Sequence, residues 1–394
     1  MIPPTLEDLA LNFIVYNILD FIPEINTLLS SELQDLVFDV LEEDIPLSYA
    51  VQIENQLYWQ KKLVNSKLPM NVVIGAPKTN SKRYYIEHQL TYLLENAISD
   101  DQRPSPSFFD RDLVIPQFSE LLSTMKYAGT FVRKLSLSQI GSRELSVDQL
   151  LNYLPNLEDL RLCLSSYYIR SDFLLDIDPG SKASGISLTD EVCRSLGFGL
   201  SKLSLLVSFE ISDSSISDQL LLHLLPSFQS LPALRHVSLA HNKLGKILTP
   251  NCPIFLHSIN PFLSLESIDF SNNFINDHYS KQIAQLIINS KVLKNLNLLL
   301  NQISDKGAIY ILAASTQSNS LTFLSLSSNR LCGKSFEFLT SIMESHQLEP
   351  LEVLDLSNND FKASDLGLLR SRKLQKEVKT KFDLRGCGFE THYV

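Results

Sequence analysis

The sequence predicts an α/β solenoid, with parallel strands along its inner side and helices returning along the outside, behind an all-helical N-terminal domain. Three observations lead there. A leucine-spaced motif recurs through the second half of the chain, with an asparagine at a fixed place in most copies. The stretches between copies are long enough for one helix each. Residues 1–130 lack this period and place apolar residues at helical spacing instead.

Five segments read alike: Leu234-RHVSLAHNKL, Leu265-ESIDFSNNFI, Leu293-KNLNLLLNQI, Leu321-TFLSLSSNRL and Leu351-EVLDLSNNDF, each fitting L-x-x-L-x-L-x-x-N-x-L. Asn242, Asn273, Asn301, Asn329 and Asn359 are separated by steps of 31, 28, 28 and 30. A further step of 28 reaches Ser214 in Leu206-VSFEISDSSI and, at the other end, Cys387 in Phe382-DLRGCGF. Val132-RKLSLSQI and Leu157-EDLRLCLSS are weaker early copies, which makes eight repeats and a degenerate ninth expected to cap the C-terminal end.

The pattern has a physical reason. Alternating leucines form a short strand with one apolar face. An asparagine inside that apolar motif needs partners, and the chain leaving the strand offers backbone groups for its amide to satisfy. Return stretches such as Asp305-KGAIYILAAS and Lys334-SFEFLTSIM read as helices. A period near 28 with a helical return resembles the ribonuclease-inhibitor class of leucine-rich repeats over about 132–390. That resemblance implies a leucine-rich-repeat horseshoe. From 165 to 214 the distance is 49 residues, so an insertion near 170–186 reads as an exposed loop, with Ser187-Leu-Thr-Asp190 as a helix cap behind it.

In the N-terminal part, Thr5-LEDLALNFIVYNILDFI, Ser30-SELQDLVFDVLEE and Leu47-SYAVQIENQLYWQKKL predict three amphipathic helices, followed by helices near 83–98 and 117–127. The expected domains are 1–65, 66–130 as helical linker and cap of the solenoid, and 131–394 as the repeats. Thr5-Leu6-x-x-x-Ala10-x-x-x-Ile14 is similar to the BC-box of elongin-C-binding proteins. Leu29-SSELQDLVFDVL with Asn55-QLYWQKKL is similar to the F-box-like part of elongin A and related substrate receptors. Ala10 stands where cysteine is commoner, and Ser30 where proline is usual.

The resemblance implies that Leu6, Leu9, Ala10, Phe13 and Ile14 dock on elongin C or a related adaptor by helix-in-groove recognition. It also implies a cullin partner and a protein substrate held by the repeats. Leu6, Ala10 and Ile14 lie four apart and share a helical face. The alternative is that this face forms the core of a helical cap.

Counting the first leucine of each repeat as position one, positions three, five and seven face outward along the inner side. Arg161, Glu210, His236, Asp269, Asn297, Phe323 and Asp355 are the partner-binding candidates there, with Phe323 and Arg161 the first anchors. A formal charge of −10 argues against nucleic acid and anionic membranes as partners. No apolar run approaches the ~20 residues of a membrane span. Five cysteines without C-x-x-C spacing, no glycosylation sequon and no basic leader lead to an expected location in the cytoplasm or nucleus.

No phosphate loop or nucleophile elbow is present, so neither an enzyme nor a cofactor is expected. Asp176 and Asp178 are too few for a metal site. Arg370-SRKLQKEVKTK reads as a solvated helix face. The expected function is substrate receptor of a cullin–RING ubiquitin ligase, with a scaffold lacking any ubiquitin role as the alternative. Ran-type GTPase-activating proteins share this repeat class but usually carry an acidic tail, whereas this chain ends in a basic run.

Overall fold

The computed structural model describes residues 6–41, 45–66, 68, 71–72, 75, 79–96, 118–138, 146–164, 188–246, 261–344, 350–362, 364–365 and 380–387. The 170–186 insertion and residues 370–379 of the basic run lie outside them. The chain forms two compact units, residues 1–145 with 152–157, and residues 146–151 with 158–394.

The first unit is helical: α1 (Leu6–Tyr16), α2 (Ser31–Val40), α3 (Gln56–Val64), α4 (Ser81–Asn96) and α5 (Phe118–Ala128), with short helical turns between. Ser30 caps α2 by accepting from the Leu33 amide, and Asn55 caps α3 by accepting from Tyr58. Two helices expected to be continuous are interrupted. The first breaks at Asn17, whose side-chain Nδ2 donates to the Phe13 carbonyl at 2.8 Å and competes with the helical ladder. The third stops after Ala50 and restarts at Gln56, because Asn55 serves as an N-cap.

Trp59 is fully buried and donates Nε1–H to the Ile53 carbonyl at 2.8 Å. Tyr58 and Tyr85 pack on its ring at 5.2 and 5.7 Å. On α4, Glu87 Oε1 accepts from the backbone amides of Arg133 and Lys134, each at 2.9 Å, and Glu95 Oε1 accepts from the Ser138 amide and hydroxyl. These carboxylates satisfy donors along and just beyond β1 (Lys134–Leu137) that water would otherwise have to reach.

In the second unit, eight described strands lie parallel and hydrogen-bonded in sequence order. They are β2 (Asp159–Cys163), β3 (Ser208–Ser212), β4 (His236–Ser238), β5 (Ser267–Asp269), β6 (Asn295–Asn297), β7 (Phe323–Ser325), β8 (Val353–Asp355) and β9 (Lys381–Asp383). Register pairs Ile268 with Leu296 and Leu296 with Leu324, so the repeat leucines stack in columns. Helices α6 (Asp190–Leu200), α7 (Asp277–Asn289), α8 (Asp305–Ser315) and α9 (Gly333–Glu344) return between strands. This is the α/β solenoid the periodicity predicts, and the degenerate ninth repeat contributes a strand of its own.

Candidate functional site

The asparagine column ties the exit of each strand to its neighbours by hydrogen bonds. Asn301 is buried; its Nδ2 donates to the carbonyls of Phe270, Leu298 and Leu299 at 3.0, 3.1 and 3.2 Å, and its Oδ1 accepts from the Ile275 amide at 3.0 Å. Asn242, Asn273, Asn329 and Asn359 repeat this scheme. Ser214 and Cys387 end the column: the Leu164 amide donates to Ser214 Oγ at 2.8 Å, and the Cys387 thiol donates to the Leu356 carbonyl at 3.3 Å. Burial pushes that thiol's pKa up.

Each member of the column follows a residue of positive φ: Asp213, His241, Asn272, Leu300, Ser328, Asn358 and Gly386. Six of these are types that adopt a left-handed turn with little penalty or have a short polar side chain. Leu300 is the exception, at φ 56° and 47% exposed.

A second column was missed in the sequence. Asp218, Asp277 and Asp305 stand four residues after Ser214, Asn273 and Asn301, at the first turn of a helix. Each carboxylate accepts from the turn of the next repeat. Asp277 Oδ1 accepts from the Ser304 and Gly307 amides at 2.8 and 3.1 Å, and Asp305 Oδ1 accepts from Cys332 and Ser335 at 2.7 and 3.1 Å. Asp218 accepts from the Gly245 amide and the Tyr279 hydroxyl, all at 3.1 Å. Burial raises the Asp218 pKa, against the lowering effect of those hydrogen bonds. The N-x-x-x-D spacing was the available signal.

Positions three and five form two rows across the sheet. The first runs Asp159, Ser208, His236, Ser267, Asn295, Phe323, Val353 and Lys381; the second runs Arg161, Glu210, Ser238, Asp269, Asn297, Ser325, Asp355 and Asp383. All seven candidates thus share one sheet face. Arg161 lies 3.4 Å from Asp159 and 3.8 Å from Glu210. His236 is exposed and Phe323 half-buried.

Three candidates also terminate strands. Asp269 Oδ1, Asn297 Oδ1 and Asp355 Oδ1 each accept from the backbone amide two residues on, at 2.8, 3.1 and 3.0 Å. Their residue type at position five therefore answers a local need as well as any partner. Ser325, expected to face outward, is buried, and its hydroxyl donates to Asp355 Oδ2 at 3.1 Å.

Across β3–β5 the face is hollowed into a depression of about 520 Å³ lined by Glu210, Asp213, His236, His241, Asp269 and serines of the same strands. At position two of their repeats, Arg235 and Lys294 approach Glu266 at 3.8 and 2.7 Å, and the Lys294 ammonium holds that carboxyl's pKa down. Among the described residues no group of three or more His, Cys, Asp or Glu could hold a metal ion. Nor is any described helix long and apolar enough to cross a membrane.

In the first unit, Leu6 opens α1, and its side chain lies outside the described residues. Leu9, Ala10, Phe13 and Tyr16 are exposed, at 53%, 62% and 88% for the three large ones, while Ile14 is half-buried. Leu33, Leu36 and Val40 form a second exposed apolar stripe on α2, whose other face buries Val37 and Phe38. Residues 1–60 carry eleven carboxylates and no Lys or Arg.

A family model for leucine-rich repeats matches residues 289–312, and a second matches 320–342. No curated protein matches the chain. Among solved structures it is similar to an internalin from Listeria monocytogenes, at 17% identity and TM-score 0.36, covering 69% of this chain and 66% of that one. It is also similar to a chain of the TLR13–ssRNA13 complex, at 17% identity and TM-score 0.36, covering 66% of this chain and 33% of that one. The chain thus spans just under two thirds of the internalin and one third of the receptor chain.

Proposed function

We propose that this leucine-rich-repeat protein is a non-catalytic protein-binding subunit whose first helix docks on elongin C or a related adaptor, joined to a cullin, while the repeats present a protein substrate for ubiquitin transfer. The observation that carries it is the exposed stripe Leu9, Phe13 and Tyr16 on α1, beside Ala10, in the segment that resembles a BC-box. Apolar side chains at this spacing suit insertion into a groove, and a small residue among them permits close approach of the two backbones. A reducing compartment, cytoplasm or nucleus, goes with this role.

Purified full-length chain is expected to retain elongin C in a pull-down, and Leu9→Asp/Phe13→Asp and Leu6→Asp variants to lose it. Absence of binding by the unaltered chain removes the adaptor assignment. The departures at Ala10 and Ser30 favour a second role, a scaffold without any ubiquitin link; stable protein binding with no cullin in the recovered complex selects it.

A further inference from the structure

The outward residues of the strand face have an uneven chemistry. From β3 to β8, positions three, five and seven hold no Lys or Arg, while Glu210, Asp269 and Asp355 stand in one row. The cations of this face sit at its two ends, where Arg161 on β2 lies 3.8 Å from Glu210 and Arg385, just beyond β9, feels the Asp355 charge, while Arg235 and Lys294, at position two, are turned to Glu266. Asp269 uses only Oδ1 toward the Ser271 amide, and among the described residues no hydrogen bond engages its Oδ2. Glu210 and Asp269 both line the depression across β3–β5. In the neighbouring row, Phe323 and Val353 are register partners on β7 and β8, both half-buried, and supply the apolar seat of an otherwise polar row.

We infer that this face takes an extended protein segment carrying two basic residues and an apolar residue at regular spacing, an inference that rests on the protein-binding role above and specifies its substrate class. Asp269 lies on β5 and Phe323 on β7, so the two seats are two strands apart. Strands sit about 4.8 Å apart, so that separation is roughly 10 Å, or about three residues of extended chain. Glu210, on β3, lies two strands to the other side of Asp269. The fitting segment therefore reads basic, basic, apolar, each about three residues from the next. Between those ends, an acidic segment meets Asp269 with no cation at positions three, five or seven of β3 to β8, as does a nucleic-acid backbone.

The test is selection of phage-displayed random peptides on the full-length chain, followed by titration of the selected sequences as free synthetic peptides. Enriched peptides are expected to show the spaced basic and apolar residues. Glu210→Gln/Asp269→Asn retains the hydrogen-bond acceptors and is expected to weaken binding about tenfold. Added salt should weaken the unaltered chain's binding while leaving this variant's nearly unchanged. Phe323→Ala should lose a similar factor without altering the salt response.

Enrichment of acidic or unpatterned peptides, no enrichment, full affinity in both variants, or preferential binding of a single-stranded RNA oligonucleotide each overturns the inference. The elongin C pull-down reads α1 alone, so failure there leaves this result standing, and the reverse also holds.

Discussion

The two units of this chain handle apolar surface in opposite ways. In the repeats, nearly every leucine of the motif is buried, and the face presented outward is mostly serine, asparagine and carboxylates. In the helical unit, α2 buries one side, α1 half-buries Leu11, Ile14 and Val15, and both leave a stripe of leucine, phenylalanine, tyrosine or valine in water. The repeat unit stacks one repeat on the next, so each strand's apolar side is covered by its neighbours in sequence. A short helix pair has no such internal partner for its second face. Contiguous exposed apolar surface of that kind marks an interaction site more often than an accident of composition. Under the proposed roles, recognition by the repeats draws on sparse charges and one apolar seat, and recognition by the helices on apolar area.

That contrast can be broken by substitution. Asn301→Ala leaves three carbonyls and the Ile275 amide without the side-chain partners they have now, and should cost about 3 kcal/mol or more in urea denaturation. A loss below about 1 kcal/mol would mean that water replaces the amide easily and that the column is not what holds the repeats.

Asp218 offers a pH test. Its raised pKa means the folded state takes up a proton before the unfolded chain does as pH falls. The cost of keeping the buried carboxylate ionised is present above the folded pKa and disappears as pH falls through it toward the ordinary carboxylate range. The thermal stability of the unaltered chain relative to Asp218→Asn should therefore rise as pH is lowered from neutrality through that window. A difference independent of pH would show the carboxylate to be solvated.

Leu300→Asn should raise stability by about 1 kcal/mol, because a left-handed backbone penalises leucine and about half of its surface already lies in water. A loss of stability instead would show that Leu300 packs more tightly than its exposure indicates. Phe13→Asp should change stability by no more than about 0.5 kcal/mol, as befits an exposed position, while abolishing adaptor binding. Large destabilisation by Phe13→Asp would make α1 part of the core and erase the contrast between the units.

Much of this was legible in the residue order because a solenoid's core recurs locally. Leu265, Leu293 and Leu321 announce their strands by spacing alone, and Asn301 announces its turn, since each repeat solves the same burial problem with the same side chains. Inward and outward positions follow from the two-residue period of a strand, which is why Glu210, Asp269 and Phe323 could be placed on one face beforehand.

Contacts reaching from one repeat to the next were harder to foresee. Asp277 holds the turn at Ser304, 27 residues on, and Ser325 is covered although its position points outward. The break at Asn17 turns on a side chain outcompeting its own helix ladder, and the exposure of Leu9 and Phe13 depends on which of two apolar helix faces finds a neighbour. Periodicity names the faces of an element, and packing chooses among them, because burial free energy belongs to the pair of surfaces that meet and not to either alone.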